Sequence, residues 1–171
     1  MKKTVTILCI ILVFFLIYFL QANFFTWFNI AGIMPNLYVI LVLFIGLFMK
    51  RKLGVVFGFA FGLYLDIILG KTVGISAFAL GAIGLIGEIL SKNFSKDSRI
   101  VILLIGAFCT IVYEVLLYVL QGVFFQISVE VIPFLKILAL ETIYNIFIII
   151  IIYPIMKNVG YEIESEILYE F

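Results

Sequence analysis

Three acids stand inside otherwise apolar stretches of this sequence: Asp66, Glu114 and Glu141. An ionisable side chain in hydrocarbon is costly and is a functional-site candidate by default. Depth follows from the nearest basic clusters at about 1.5 Å of helical rise per residue. On that scale Asp66 lies roughly 20 Å from Lys52, Glu114 roughly 22 Å from Arg99 and Glu141 roughly 24 Å from Lys157. Three acids on three helices therefore share one height, in the outer third of a bilayer. Asn145 falls one turn from Glu141 on the same face, and Tyr113 and Tyr144 are nearby phenols able to donate hydrogen bonds.

Two readings follow. One is a shared polar cavity open to the outer side, lined by Asp66, Glu114, Glu141, Asn145 and Tyr144. The other has each acid facing the outer interface separately; the short aspartate side chain argues against it, because it cannot snorkel far. Grouped carboxylates in a low dielectric need a counter-charge. Lys71 and Lys136 are the nearest ammonium groups. No catalytic set accompanies the acids. There is no histidine, no serine beside a base, no metal-ligand spacing and no phosphate-binding glycine loop. Carboxylates alone can move protons, but nothing supplies a nucleophile. The expectation is a non-enzyme without metal or cofactor.

The elements that carry these residues are set by composition. Of 171 residues, 66% are hydrophobic and 12% charged, and mean hydropathy is +1.35. A soluble domain has about 25% charged residues. This chain lacks the polar groups to cover a water-facing surface and must dissolve in lipid. A net charge of +1 gives no bulk attraction to nucleic acid. Charged clusters cut the chain into six apolar pieces, at about 4–20, 30–49, 53–69, 74–90, 100–120 and 133–156. Each approaches the roughly 17–25 residues that span a bilayer. The expected fold is an all-α integral membrane protein, a six-helix transmembrane bundle forming a single domain over 1–171.

Leu20-Gln21-Ala22-Asn23 is a poor small-x-small cleavage site and bulky aromatics follow it, so the first span is expected to be retained rather than removed as a signal peptide. With the N-terminus inside, nine Lys and Arg lie on the inner side and two, Lys71 and Lys136, on the outer. That asymmetry predicts both termini in the cytoplasm. The uncharged loop 21–36 carries Phe24, Phe25, Trp27 and Phe28, an interfacial aromatic anchor. Beyond Lys157, the short tail 158–171 holds Glu162, Glu164, Glu166 and Glu170. It is either solvated or docks a stripe of Ile163, Ile167 and Phe171. Cys9 and Cys109 lie inside spans and read as small apolar residues.

Lipid provides no hydrophobic force between helices, so close backbone approach must hold them together. The third span has Gly54, Gly58 and Gly62 at four-residue spacing, and the fourth has Ala77, Gly81 and Gly84, with Gly87 nearby. They predict a tight antiparallel hairpin at the centre of the bundle and a close-packing surface for a partner. The first span has no Gly or Ala between Thr4 and Leu20, which suits a peripheral, lipid-facing position. Glu88 with Lys92 reads as an ordinary i,i+4 pair.

Pro35-Asn36-Leu37 opens the second span. The run Gly58-Phe-Ala-Phe-Gly62-Leu-Tyr-Leu-Asp66-Ile-Ile-Leu-Gly70 follows, then Gly74-Ile75 at the fourth. In these motifs, in size and in span order, the chain resembles the MreD family of bacterial rod shape-determining proteins. The motif residues are Pro35, Asn36, Asp66, Gly70 and Gly74. The resemblance implies a non-enzymatic inner (cytoplasmic) membrane component of the cell-elongation machinery. It implies MreC as direct partner, with MreB, RodA and a class B penicillin-binding transpeptidase in the same assembly. It further implies a fold like the S components of energy-coupling-factor vitamin transporters, which have an outward pocket. That gives a second function to weigh, a metabolite-binding S component. Such proteins dock their coupling subunit through small residues in the first span, which this chain lacks.

Overall fold

The computed structural model describes residues 2–49, 52–69, 72–125 and 130–169. Among these, regular structure is helical, with one isolated β-bridge between Ile30 and Ile33. Helix α1 (Lys2–Phe19) continues through a π-helical turn, Leu20–Phe24, into a single turn, Phe25–Trp27. It is followed by α2 (Leu37–Phe48), α3 (Leu53–Ile68), α4 (Ile75–Asn93), α5 (Arg99–Phe125) and α6 (Val131–Tyr169). Four stretches are long and apolar enough to cross a membrane: Thr4–Trp27, Ile75–Asn93, Arg99–Phe124 and Val131–Glu164. This is a membrane protein.

The remaining helices are shorter. The second expected span, 30–49, is helical only from Leu37, for 12 residues, about 18 Å at helical rise. Pro35 has no N–H to continue a helix. Asn36 then caps α2, its side-chain oxygen accepting from the Val39 N–H at 3.3 Å. A short helix is tolerated at membrane depth where protein rather than lipid surrounds its ends. That condition holds, because every α2 residue except Tyr38 is buried.

The glycines of α3 and α4 do bring these helices together in a tight hairpin. The most enclosed helix is nevertheless α2, which packs against α4 and more lightly against α3. The hairpin instead turns Val56, Phe59, Phe78 and Leu85 outward. Its placement at the centre is therefore corrected. α5 and α6 pair with each other on the far side. α1 is peripheral, with only 11% of its span buried. Its anchor is Phe14, stacked on Phe61 of α3 at 4.1 Å between ring centroids.

The tail does not leave the bundle as a separate segment, since α6 runs unbroken through Pro154 to Tyr169. Ile163 packs on the core, and Glu164 pairs with Lys96 at 2.8 Å. The side chain of Ile167, together with Glu170 and Phe171, lies outside the described residues, as do Gly70 and Lys71 of the hairpin turn.

Candidate functional site

The α3–α4 hairpin is built by backbone contact. A Cβ on Gly54 would fall 2.6 Å from the Gly46 Cα and 3.0 Å from the Gly84 carbonyl oxygen. A Cβ on Gly58 would overlap the Leu80 carbonyl, and one on Gly62 would come within 2.5 Å of the Ala77 Cα. A Cβ on Gly84 would strike the Gly54 carbonyl. Gly81 differs, since its Cβ would sit 3.7 Å from the Phe59 Cβ, an ordinary contact. Gly46 of α2 belongs to this set although its span shows no glycine repeat. The faces of Gly54, Gly58, Gly62, Ala77 and Gly84 are thus occupied within the molecule. They do not form a free surface for a partner.

Asp66 is fully buried near the C-terminal end of α3. Its carboxyl oxygens accept from the Gly74 N–H at 2.8 Å, the Ser76 N–H at 3.1 and 3.2 Å, and the Ala77 N–H at 3.3 Å. These are the first N–H groups of α4, which have no partner inside their own helix. Gly74 makes the approach possible: its φ of +109° is one that L side chains rarely adopt. The Asp66 and Gly74 of the family motif are therefore two halves of one cap that closes the hairpin across its turn.

The other expected site residues gather around Asn36 and Asn145. Asn145, fully buried on α6, accepts from the Asn36 backbone N–H at 2.7 Å and donates to the Thr110 hydroxyl of α5 at 3.0 Å. One side chain thereby ties the start of α2 to α5 and α6. Glu141 is buried one turn away, and its carboxyl interacts with those of Glu114 and with the Asn36 side chain. One of its oxygens, Oε1, has no hydrogen-bond partner. Tyr113 is buried beside this group and reaches Asn36. Tyr144 points away, donating to the Phe28 carbonyl of the aromatic loop. Gln21, not among the expected site residues, clamps the same end: its Nε2 donates to the Pro35 carbonyl at 2.7 Å and its Oε1 accepts from the Leu37 N–H at 3.2 Å. An amide at the end of the long apolar run from Thr4 to Leu20 was the available signal.

Asn36, Tyr113, Glu114, Glu141 and Asn145 are thus brought together, and Asp66 is committed to α4. Among the described residues no group of three or more His, Cys, Asp or Glu side chains is placed to hold a metal.

The opposite end is held by charge. Lys157 pairs with Asp97 at 2.8 Å, and the Tyr153 hydroxyl donates to the Lys96 and Asp97 carbonyls at 3.0 and 2.9 Å. The hydrogen bond from Lys157 holds the Asp97 carboxyl below its ordinary range. Glu88 and Lys92 pair at 3.5 Å on one helix face.

The family described as rod shape-determining protein MreD matches residues 1–159 of this chain. No curated protein and no solved structure matches it.

Proposed function

Since the chain belongs to the MreD family of rod shape-determining proteins, we propose that it acts as a non-enzymatic scaffold in the bacterial inner membrane. Both termini face the cytoplasm, as the nine-to-two split of basic residues implies. Its direct partner is MreC, and through MreC it joins MreB filaments to wall synthesis by RodA and a class B penicillin-binding transpeptidase.

The observation that carries this reading is the use made of polar side chains at the helix ends and contacts. Asp66 caps α4, Asn145 and Gln21 bind backbone at the start of α2, and Tyr144 holds the aromatic loop. These contacts fix helices relative to one another, which a platform for other membrane proteins requires. A metabolite carrier instead needs polar groups turned toward a ligand. The deepest acid of the expected pocket, Asp66, is fully engaged by backbone.

The experiment is depletion in a rod-shaped host with re-expression of the chain. Rounding on depletion, recovery on re-expression and recovery of a bitopic partner by membrane pull-down are the expected results. Unchanged shape, or recovery of an ATPase complex instead, overturns the proposal.

A further inference from the structure

The glycine faces of α3 and α4 are filled within the molecule, so a membrane partner must bind elsewhere. The outer halves of α1 and α3 leave a place. These two helices meet through rings: Phe14 stacks on Phe61, and Tyr18 lies edge-on to Tyr64 at 6.3 Å between centroids. Tyr38, the one α2 residue that is not buried, stands 5.8 Å from the Phe14 ring. Three phenols from three helices thus surround one cleft, each half-buried. Among the described residues none of their hydroxyls has a hydrogen-bond partner, whereas those of Tyr144 and Tyr153 both bind backbone.

Depth decides what can satisfy them. Trp27, of the aromatic loop, follows Tyr18 by nine residues, and α3 ends at Ile68 with Leu69 five residues after Tyr64. At helical rise the two tyrosines lie roughly 13 and 8 Å below those marks. Helical side chains lean toward the N-terminus. With the N-terminus of the chain inside, that is the inner end of both α1 and α3, so these hydroxyls do not snorkel outward. An unpaired hydroxyl in hydrocarbon is costly, and a lipid headgroup does not reach down to it. Another membrane helix carries a hydrogen-bonding side chain to that depth with its own backbone satisfied. Charge decides which side chain. Among the described residues, the ionisable groups acting on Tyr38 are Tyr18 and Tyr64 alone. Asp66 and Gln21, the polar neighbours of Tyr64 and Tyr18 in sequence, are taken by backbone. With no counter-charge at hand, the guest is uncharged. Ala60, exposed one turn before Tyr64, lets a second backbone approach. We propose that this cleft receives the membrane helix of the bitopic partner, which inserts an amide or hydroxyl side chain among Tyr18, Tyr38 and Tyr64; the existence of that partner rests on the scaffold reading above.

The test uses the full chain in cell membranes. A triple variant, Tyr18→Phe with Tyr38→Phe and Tyr64→Phe, keeps every ring and removes only the hydroxyls. Its unfolding midpoint in mixed micelles should equal or exceed that of wild type. Recovery of the bitopic partner by pull-down should fall by about threefold for each hydroxyl engaged, the worth of one hydrogen bond between membrane helices. A photo-cross-linking p-benzoylphenylalanine in place of Tyr64 should capture that partner through a membrane segment containing Asn, Gln, Ser or Thr. In place of Leu104, exposed on α5, it should not. Undiminished recovery with the triple variant overturns the inference and leaves the scaffold reading standing. Loss of stability in that variant would make the hydroxyls structural, and cross-links from position 64 to lipid or to a second copy alone would give the cleft another occupant; either result overturns the inference. A wild type that recovers no bitopic partner overturns the scaffold reading and this inference together.

Discussion

Replacing Asp66 separates a structural cap from a chemical group. In Asp66→Ala the N–H groups of Gly74, Ser76 and Ala77 lose their acceptor. Ser76 and Ala77 are buried, so water cannot replace the lost oxygen. At about 1–3 kcal/mol for each buried orphan donor, the two together cost about 2–6 kcal/mol. That is a large part of a typical total of about 5–15 kcal/mol. In Asp66→Asn the amide oxygen can take the place of Oδ2, which receives all three N–H groups. Only the second contact to Ser76, through Oδ1 at 3.2 Å, is given up, and the new NH2 must find an acceptor. The expected loss is about 0.5–1.5 kcal/mol. Reversible unfolding in mixed detergent micelles measures both variants against wild type, and shape rescue in depleted cells measures function. Asn should rescue and Ala should fail. Equal destabilisation of the two, or an Ala variant as stable as wild type, would refute the cap. A stable Asn variant that fails to rescue shape would show that the acid does more than hold α4.

Gly54→Ala and Gly84→Ala each drive a methyl into opposing backbone and should cost about 1–3 kcal/mol or more, whereas Gly81→Ala has room and should be neutral or stabilising by about 1 kcal/mol or less; the same unfolding assay ranks the three. Asn145→Ala strands the Asn36 N–H and should cost about 1–3 kcal/mol, while Tyr144→Phe, at an exposed bond to the loop, should cost less. The Asp97–Lys157 pair makes a pH prediction. A carboxyl held below its ordinary value of 3.8 stabilises the fold above that pH and loses the effect as pH falls through its lowered value. The stability difference between wild type and Asp97→Asn should therefore be small, constant near neutrality, and vanish in acid; a difference that persists at low pH would assign the effect to something other than charge.

Much of the architecture is legible in particular residues. The absence of Gly and Ala from Thr4 to Leu20 anticipates a peripheral α1, and the Gly54–Gly58–Gly62 spacing anticipates the hairpin, because four-residue periodicity puts these positions on one helix face. The common height of Asp66, Glu114 and Glu141 places them at one end of the bundle. Which of them meet is not legible. A depth count gives position along a helix axis and says nothing of rotation about it. Asp66 therefore turns to α4, while Glu114 and Glu141 turn to each other.

Composition and charge spacing alone determined that this chain is helical, lipid-embedded and basic at one end, since those properties follow from transfer energies summed residue by residue. The enclosure of α2, the joining of Gly46 to the glycine contacts and the capping role of Asp66 were decided only by tertiary structure. They depend on which backbone atoms lie opposite one another across helices far apart in sequence. That choice is made by packing all the helices at once, which no local window of residues contains.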